Sequence, residues 1–142
     1  ERSHRGISVL YVDDDDSLLD LTKRFIETGA ESIAVETANS VKAGLERLHA
    51  GDFDAVISDY QMPKMDGLEF LQTLREEWES TIPFIIFTGR GRKEVAIDAL
   101  NLGADRYLQK GGDPTSQYGV LVDAVEQEIE HNRTRAALDE RE

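Results

Sequence analysis

Short apolar runs alternate with segments of helical periodicity along the whole chain. The runs at about 7–12, 32–37, 53–58, 84–87 and 106–109 predict strands, and the segments between them carry apolar residues three or four positions apart. Such alternation is typical of βαβ units, which build a parallel sheet with helices on both faces. The fourth run is apolar at every position, so we expect it at the centre of that sheet.

Five helices are predicted, over about 16–29, after Asn39, after Asp66, over about 93–102 and from about Thr115 onward. Asn39 is the predicted N-cap of helix two, and Asp66 with Glu69 forms a capping-box pattern before helix three. The residues expected to face the core are Leu18, Leu21, Phe25 and Ile26 in helix one, Val41, Leu45 and Leu48 in helix two, and Leu68, Leu71, Leu74 and Trp78 in helix three.

Polar residues follow three of the predicted strands. Asp13–Asp16 follow strand one, Asp59 follows strand three and Lys110 follows strand five. Right-handed crossovers favour the strand order 2-1-3-4-5, in which the direction of winding changes between strands one and three. Ligands in such sheets bind beyond the carboxyl ends of the strands. We therefore expect the three segments to meet at one edge, with Asp15 and Asp16 serving to start helix one.

The composition narrows the function classes. The 142 residues fit one domain, and the absence of cysteine excludes disulfides, thiolate metal sites and cysteine nucleophiles. A formal net charge of -13 opposes binding to nucleic acid or to anionic membranes. No apolar run approaches the roughly 20 residues that span a bilayer, and no signal-peptide pattern opens the chain. We expect a cytoplasmic domain that contacts neither membrane nor nucleic acid.

The aspartates at this edge predict a cation site. Two carboxylates about 4 Å apart repel by on the order of 4 kcal/mol at an effective dielectric constant of about 20, so a cluster of them either raises its pKa values or binds a cation. Carboxylate and carbonyl oxygens suit Mg²⁺. We expect Asp14 and Asp59 as direct ligands, the backbone carbonyl of Gln61 as a third ligand, and Asp13 acting through water.

The same edge carries groups that suit a phosphoryl group. An aspartate that accepts one needs the new charge neutralised from more than one side, and Mg²⁺ would cover one of them. Lys110 is a flexible point charge that can reach phosphate oxygens, and the Thr88 hydroxyl can donate a hydrogen bond. Asp59 is therefore the expected covalent acceptor, with Thr88 and Lys110 as phosphate ligands.

Four motifs occur in one order: Val12-Asp13-Asp14, the segment 58–67, Phe87-Thr88-Gly89 and the segment 103–110. Over about residues 6–130 the chain resembles the receiver domain of two-component response regulators. The resemblance implies a flavodoxin-like, three-layer α/β fold and transfer of a phosphoryl group onto Asp59 from the phosphohistidine of a histidine kinase or phosphotransfer protein. It also implies Mg²⁺ and self-catalysed loss of the group, so the domain would be a signalling module rather than a conventional enzyme.

The resemblance further implies a switch, in which Thr88 turns toward the phosphate, Tyr107 swings inward, and the surface of helix four, strand five and helix five is remodelled. Gly111-Gly112 departs from the family, which usually carries a proline in a cis peptide after the lysine. A cis bond without proline costs about 2.5 to 4 kcal/mol, so we expect a trans or more mobile turn. The Lys-Gly-Gly-Asp ending resembles receivers attached to archaeal sensor kinases, which would place PAS or kinase output domains C-terminal to this one.

The ends of the chain carry separate predictions. Residues 6–130 are the predicted domain, residues 131–142 a helical extension or linker, and residues 1–5 a disordered terminus or artificial remnant. A spacing of three and four residues continues through the last helix at Val122, Val125, Ile129, Asn132 and Ala136. This spacing favours a signalling helix or a weak homodimer seam, and its alternative is a charged extension that frays.

Two other functions fit parts of the pattern. In a phosphohydrolase of the haloacid-dehalogenase type, Asp13 would be the nucleophile and Asp15 the general acid, with Thr88 and Lys110 again holding phosphate. That hypothesis leaves Asp59 and its Met-Pro loop unexplained, and the chain is short for such an enzyme. A receiver-like binding module that no longer turns over phosphate is the third hypothesis, and the intact acidic pair, Thr88 and Lys110 argue against it.

Overall fold

The computed structural model describes residues 6–30, 32–89, 93–111 and 113–141. The predictions for residues 1–5 and for Gly112 lie outside this part of the chain. The strands are β1 (Ile7–Val12), β2 (Ile33–Ala38), β3 (Ala55–Ser58), β4 (Phe84–Thr88) and β5 (Arg106–Gln109). The helices are α1 (Asp16–Gly29), α2 (Val41–Ala50), α3 (Gly67–Gln72, continued by a π-helical turn at Thr73–Glu77), α4 (Lys93–Asn101) and α5 (Pro114–Arg141).

The strands form one parallel sheet in the order β2-β1-β3-β4-β5, which confirms the predicted topology. β1 pairs with β3 so that Val12 lies opposite Ser58, and the N–H of Asp59 donates to the Val12 carbonyl at 2.9 Å. Asp13 and Asp59 therefore leave the sheet side by side. At the other strand pair, Thr88 lies opposite Gln109, and the N–H of Lys110 donates to the Thr88 carbonyl at 3.0 Å.

Two apolar layers cover the sheet, one on each face. Val9 and Tyr11 of β1 belong to the layer built with α1 and α5, whereas Leu10 and Val12 belong to the layer built with α2, α3 and α4. This alternation follows from the period of two along a strand. β3 and β4 are buried at every position, as expected for central parallel strands. The three-layer α/β fold is thereby confirmed.

The buried face of α1 differs from the predicted one. Ile26 is buried as predicted, and it shares this face with Leu19 and Thr22. Leu21 and Phe25 were expected in the core, but they are 46% and 38% exposed. Thr22 can occupy a core position because its hydroxyl forms a hydrogen bond with that of Tyr118, and the helix face built from Leu19, Thr22 and Ile26 leaves Leu21 and Phe25 at its edges.

Helix capping follows the predicted residue types but not every predicted position. Asp15 caps α1 by accepting from the Leu18 N–H at 3.1 Å. The predicted N-cap Asn39 was wrong by one residue, because Ser40 accepts from the Ala43 N–H at 3.1 Å. Ser and Asn are both good caps, so sequence alone ranks them poorly.

The capping box before α3 is confirmed: the side chain of Asp66 accepts from the Glu69 N–H at 2.9 Å, and the Glu69 side chain accepts from the Asp66 N–H at 2.8 Å. The end of this helix is different from the prediction, since Trp78 is 41% exposed rather than in the core. The π-helical turn holds one more residue than an α-turn. That extra residue moves Trp78 away from the line of buried residues that Leu71 and Leu74 continue.

The last helix, α5, runs without interruption from Pro114 to Arg141. Val125 and Ile129 are buried against the sheet, and Arg106 of β5 binds the largely buried Glu128 carboxylate at 2.7 Å. The domain limit at residue 130 and the weak homodimer seam stay predictions, and the side chain of Ala136 is outside the described part. None of the helices in the described ranges combines the length and the apolarity that crossing a bilayer requires.

Candidate functional site

An open cavity of about 620 Å³ lies at the carboxyl ends of β1, β3 and β4. Six of the predicted site residues line it, and they are Asp13, Asp14, Asp59, Gln61, Thr88 and Lys110. Asp15 lies at its rim, where its carboxylate serves as the cap of α1. Tyr107 is the predicted site residue that is not part of this lining.

Three carboxylates converge in the cavity. One oxygen each from Asp13, Asp14 and Asp59 lies within 4.8 Å of the other two. Asp13 is buried, Asp59 is half-buried and Asp14 is exposed, so the group opens toward solvent on one side. A donor set of carboxylate oxygens is the chemistry that Mg²⁺ prefers. The residues present therefore fit a magnesium site, and the choice between direct and water-mediated ligands stays a prediction.

The Asp13 carboxylate is held at both oxygens. Its Oδ2 accepts from Lys110 Nζ at 2.7 Å and from the Tyr11 hydroxyl at 3.0 Å, and its Oδ1 accepts from the Asp15 N–H at 3.0 Å. Only 1% of Asp13 is exposed, so these donors replace water. The result is a charged group with a fixed orientation.

Asp59 has fewer donors and more access to the cavity. Its Oδ1 accepts from the Tyr60 N–H at 2.7 Å, and its Oδ2 lies 3.7 Å from Lys110 Nζ. Burial raises the pKa of Asp59, and the neighbouring charge of Asp13 adds to this effect. The Thr88 hydroxyl, Lys110 and the Tyr60 N–H act in the opposite direction, because each of them stabilises the carboxylate.

Lys110 links the two carboxylates. At an effective dielectric constant of about 20, Asp13 and Asp59, whose nearest oxygens lie within 4.8 Å, repel by at least about 3.5 kcal/mol. Lys110, at 2.7 and 3.7 Å, attracts them by about 6 and 4.5 kcal/mol. One ammonium thus offsets their mutual repulsion. It also lies 5.6 Å from the centroid of the Phe87 ring, a cation–π distance that restrains its position.

The backbone conformation after Lys110 explains why glycine, and not the proline usual in the family, stands at position 111. The Lys110–Gly111 bond is trans, as expected, and Gly111 has φ of +144°. Proline holds φ near -65°, so it cannot take this conformation, whereas glycine does so freely. The glycine at this position is therefore required by the backbone path that the chain adopts.

Tyr107 lies on β5 beside the cavity. Its hydroxyl is buried without a hydrogen-bond partner among the described residues. Burial raises its pKa, and Tyr60 and Asp59 add smaller effects in the same direction. A buried hydroxyl without a partner is unfavourable by about 1 to 3 kcal/mol. The role of Tyr107 as a switch stays a prediction.

Glycine at position 67 lets the backbone of α3 lie close to the backbone of Asp59. A Cβ on Gly67 would lie 2.3 Å from the carbonyl oxygen of Asp59. The Gly67 N–H donates to the Tyr60 carbonyl at 2.8 Å, which ties the start of α3 to the residue after Asp59. The sequence indicated a turn at this glycine but not its contact with Asp59.

Sequence reasoning missed a set of hydroxyl groups behind Asp13. Tyr11, Thr22 and Tyr118 are buried, and the Thr22 and Tyr118 hydroxyls lie 3.0 Å apart. A signal was present, because Leu19, Thr22 and Ile26 have the spacing of one helix face. Thr22 was overlooked because it is polar.

Comparison with known proteins agrees with this chemistry. The model of the response regulator receiver domain family matches residues 9–120. Transcriptional regulatory protein GlrR of Escherichia coli strain K12 is 34% identical over 125 residues, which are 88% of this chain and 28% of that protein. Transcriptional regulatory protein FixJ of Bradyrhizobium diazoefficiens is 30% identical over 118 residues, which are 83% of this chain and 57% of that protein. The chain thus spans less than two thirds of the length of these relatives.

Solved structures show the same architecture. A response regulator receiver domain protein from Clostridium thermocellum superposes with a TM-score of 0.79 at 28% identity, covering 90% of this chain and 98% of that one. A CheY-like receiver domain protein from Methanospirillum hungatei has a TM-score of 0.76 at 27% identity, covering 89% and 98%. These matches do not support a haloacid-dehalogenase-type hydrolase. The chain belongs to the response regulator receiver domain family of two-component systems.

Proposed function

We propose that this domain accepts a phosphoryl group on Asp59 and passes the change to the surface formed by α4, β5 and α5. The observation that supports this most directly is the position of Lys110, whose ammonium lies 2.7 Å from Asp13 and 3.7 Å from Asp59. It neutralises Asp13 and still has the reach to contact a group added to Asp59.

The transfer begins with a carboxylate oxygen of Asp59 attacking the phosphorus of a phosphohistidine. The P–N bond breaks, its electron pair stays on the imidazole nitrogen, and an acyl phosphate forms on Asp59. In dephosphorylation, water attacks the same phosphorus, the P–O bond to Asp59 breaks, and inorganic phosphate leaves. Both steps depend chiefly on positioning and charge stabilisation.

The chain supplies that stabilisation from two sides. Lys110 and the Thr88 hydroxyl, which already hydrogen-bonds Asp59, would contact the phosphoryl oxygens. Asp14, Asp59 and the Gln61 carbonyl would hold Mg²⁺, with Asp13 acting through water, and the ion when bound would supply further positive charge at the site. Asp13 is almost fully buried, so bulk water screens its charge only weakly.

The switch would use Thr88 and Tyr107. Thr88 would leave Asp59 for a phosphoryl oxygen, and the ring of Tyr107 would move with it, because its hydroxyl gains a partner in the altered arrangement. Since Tyr107 lies on β5, the change would reach the surface of α4, β5 and α5. The expected result is a shift of populations worth about 1 to 3 kcal/mol.

The partners follow from the chemistry. A histidine kinase or a phosphotransfer protein would supply the phosphoryl group in the cytoplasm. PAS or kinase domains C-terminal to this one would receive the output, and a weak homodimer through α5 is the remaining proposal. The acidic charge of -13 opposes a direct role in binding nucleic acid.

Acetyl phosphate with MgCl₂ tests the proposal. Intact-mass spectrometry should show one added phosphoryl group, lost in Asp59→Asn and retained in the matched control Asp52→Asn, whose carboxylate is exposed near the opposite end of β3. Peptide mapping after borohydride reduction should place the label on Asp59. A label on Asp13, or labelling that persists in Asp59→Asn, would contradict the assignment.

A further inference from the structure

Three buried hydroxyl groups, of Tyr118, Thr22 and Tyr11, form a file that runs from α5 to the acidic cavity. The Tyr118 hydroxyl of α5 lies 3.0 Å from that of Thr22 in α1, the Thr22 hydroxyl adjoins that of Tyr11 in β1, and the Tyr11 hydroxyl donates to Asp13 Oδ2 at 3.0 Å. Exposed fractions are 5%, 0%, 0% and 1% from Tyr118 to Asp13. Solvent water therefore does not compete for the hydrogen bonds of these groups.

The charge of Asp13 sets the direction of the file. A carboxylate only accepts hydrogen bonds, so the Tyr11 hydroxyl must donate to it. The Tyr11 oxygen can then accept from Thr22, and the Thr22 oxygen can accept from Tyr118. With the donors in this order all three O–H groups point toward Asp13, and hydrogen bonds aligned in one direction strengthen one another in a low-dielectric interior.

Packing alone does not account for these residues. Their surroundings are the apolar layer of α1, α5 and one face of the sheet. Phenylalanine and valine would fill the same space without buried polar atoms, which are unfavourable unless every one is satisfied. A file of hydroxyl groups that ends on a charged site residue is instead the kind of arrangement that orients a metal-binding group.

We propose that Tyr11 is a positioning residue for the acidic site, and that Thr22 and Tyr118 hold its hydroxyl on Asp13 and couple the site to the contact between α1 and α5. This inference rests on the proposed function, since it assigns Asp13 to cation binding. At the far end of the file the Tyr118 ring stacks on Phe25 of α1 at 4.9 Å and 22°. A change at Asp13 thereby reaches the outer face of α1.

Calorimetric titration with MgCl₂ is the first test. Tyr11→Phe should weaken Mg²⁺ binding about 10-fold, as loss of an outer-shell partner does. Thr22→Val, which does not touch Asp13, should also weaken it, and Thr22→Ser should restore it because the hydroxyl returns. Thr73→Val, a half-buried threonine on the other side of the sheet, is the matched control and should leave binding unchanged.

The chemical shift of tyrosine labelled with ¹³C at Cζ is the second test, because it should not respond to Mg²⁺ if these residues only stabilise the fold. In the wild-type protein the Tyr118 resonance should shift on addition of Mg²⁺, although α5 does not line the cavity. Thr22→Val should abolish that shift while the Tyr11 resonance still responds. Tyr118→Phe identifies the signal and serves as a second variant if Tyr11→Phe does not fold.

The outcomes separate the two proposals. If the wild-type protein neither binds Mg²⁺ nor accepts phosphate from acetyl phosphate, the proposed function fails and the inference fails with it. If it does both, and Tyr11→Phe and Thr22→Val bind Mg²⁺ as the wild type does, only the positioning role is refuted. An unmoved Tyr118 resonance in the Mg²⁺-bound wild type would likewise refute the coupling.

Discussion

Replacing Gly67 with alanine adds one methyl group between α3 and the backbone of Asp59. The new Cβ would lie 2.3 Å from the Asp59 carbonyl oxygen, and Cβ contacts essentially never fall below 3.0 Å. The helix and the loop must therefore separate by at least about 0.7 Å, the difference between these two distances. The Gly67 N–H donates to the Tyr60 carbonyl at 2.8 Å, so the separation also strains that hydrogen bond.

The expected change in the free energy of unfolding follows from two destabilising effects and one stabilising effect. Overpacking costs about 1 to 3 kcal/mol. Loss of the Gly67–Tyr60 hydrogen bond costs about 0.5 to 1.5 kcal/mol. Alanine gains at most about 1 kcal/mol over glycine in a helix. We expect Gly67→Ala to lower the free energy of unfolding by about 1 to 3 kcal/mol in urea titrations. Because reacting groups misplaced by about 1 Å can lose 100-fold in rate, labelling by acetyl phosphate should slow by on the order of 10- to 100-fold.

The matched control is Gly119→Ala in α5, where an added Cβ would meet nothing within 4 Å. That change should stabilise the protein by about 0.5 to 1 kcal/mol and leave labelling unchanged. The comparison isolates the contact with Asp59 from the helix preference of alanine. If Gly67→Ala is as stable as Gly119→Ala and accepts phosphate at the wild-type rate, the argument from close approach is wrong.

Three further predictions concern charge and packing. Burial raises the pKa of Asp59, so the folded state holds its proton to higher pH than the unfolded state, and stability falls as pH rises from about the ordinary value of 3.8 through the folded pKa. Asp59→Asn should therefore raise the Tm at pH 7 in EDTA, with a difference that disappears below pH 3.8; a constant difference would contradict this. Lys110→Met removes the partner of two largely buried carboxylates and should destabilise the protein by about 3 to 5 kcal/mol in urea without Mg²⁺, with partial recovery on adding it. Leu121→Ala, at a fully buried position, should cost about 2 to 5 kcal/mol, whereas Val120→Ala at a 55% exposed position should stay within about 0.5, and similar values for both would refute the core assignment.

The order of strands and the convergence of the site were predictable because both follow from local rules. A short apolar run indicates each strand, and right-handed crossovers limit the possible orders of strands in the sheet. Asp13, Asp59 and Lys110 each come directly after a strand, so a parallel sheet brings them to one edge whatever the details of packing. Their proximity in the structure confirms that argument, and their individual chemical roles stay predictions.

The details that escaped prediction depend on a contact between distant segments or on an irregular helix turn. Thr22 faces the core because Tyr118, 96 positions away, provides a partner for its hydroxyl. Trp78 faces solvent because the turn before it is π-helical, and periodicity does not reveal the extra residue. In both cases hydrophobic periodicity is overruled, once by a hydrogen bond to a distant segment and once by a change in helix geometry.

α5 packs on the sheet over its first half and extends well beyond the last residue that is buried there. Its 28 residues extend about 42 Å, whereas β1, at six residues, covers about 20 Å. The part beyond the buried Ile129 is about 18 Å long at 1.5 Å per residue. A tilt of about 10° at that point would displace the Cα of Arg141 by about 3 Å, more than half of one helical turn. A small rotation at the sheet would thereby become a displacement of several ångströms at the far end of the helix.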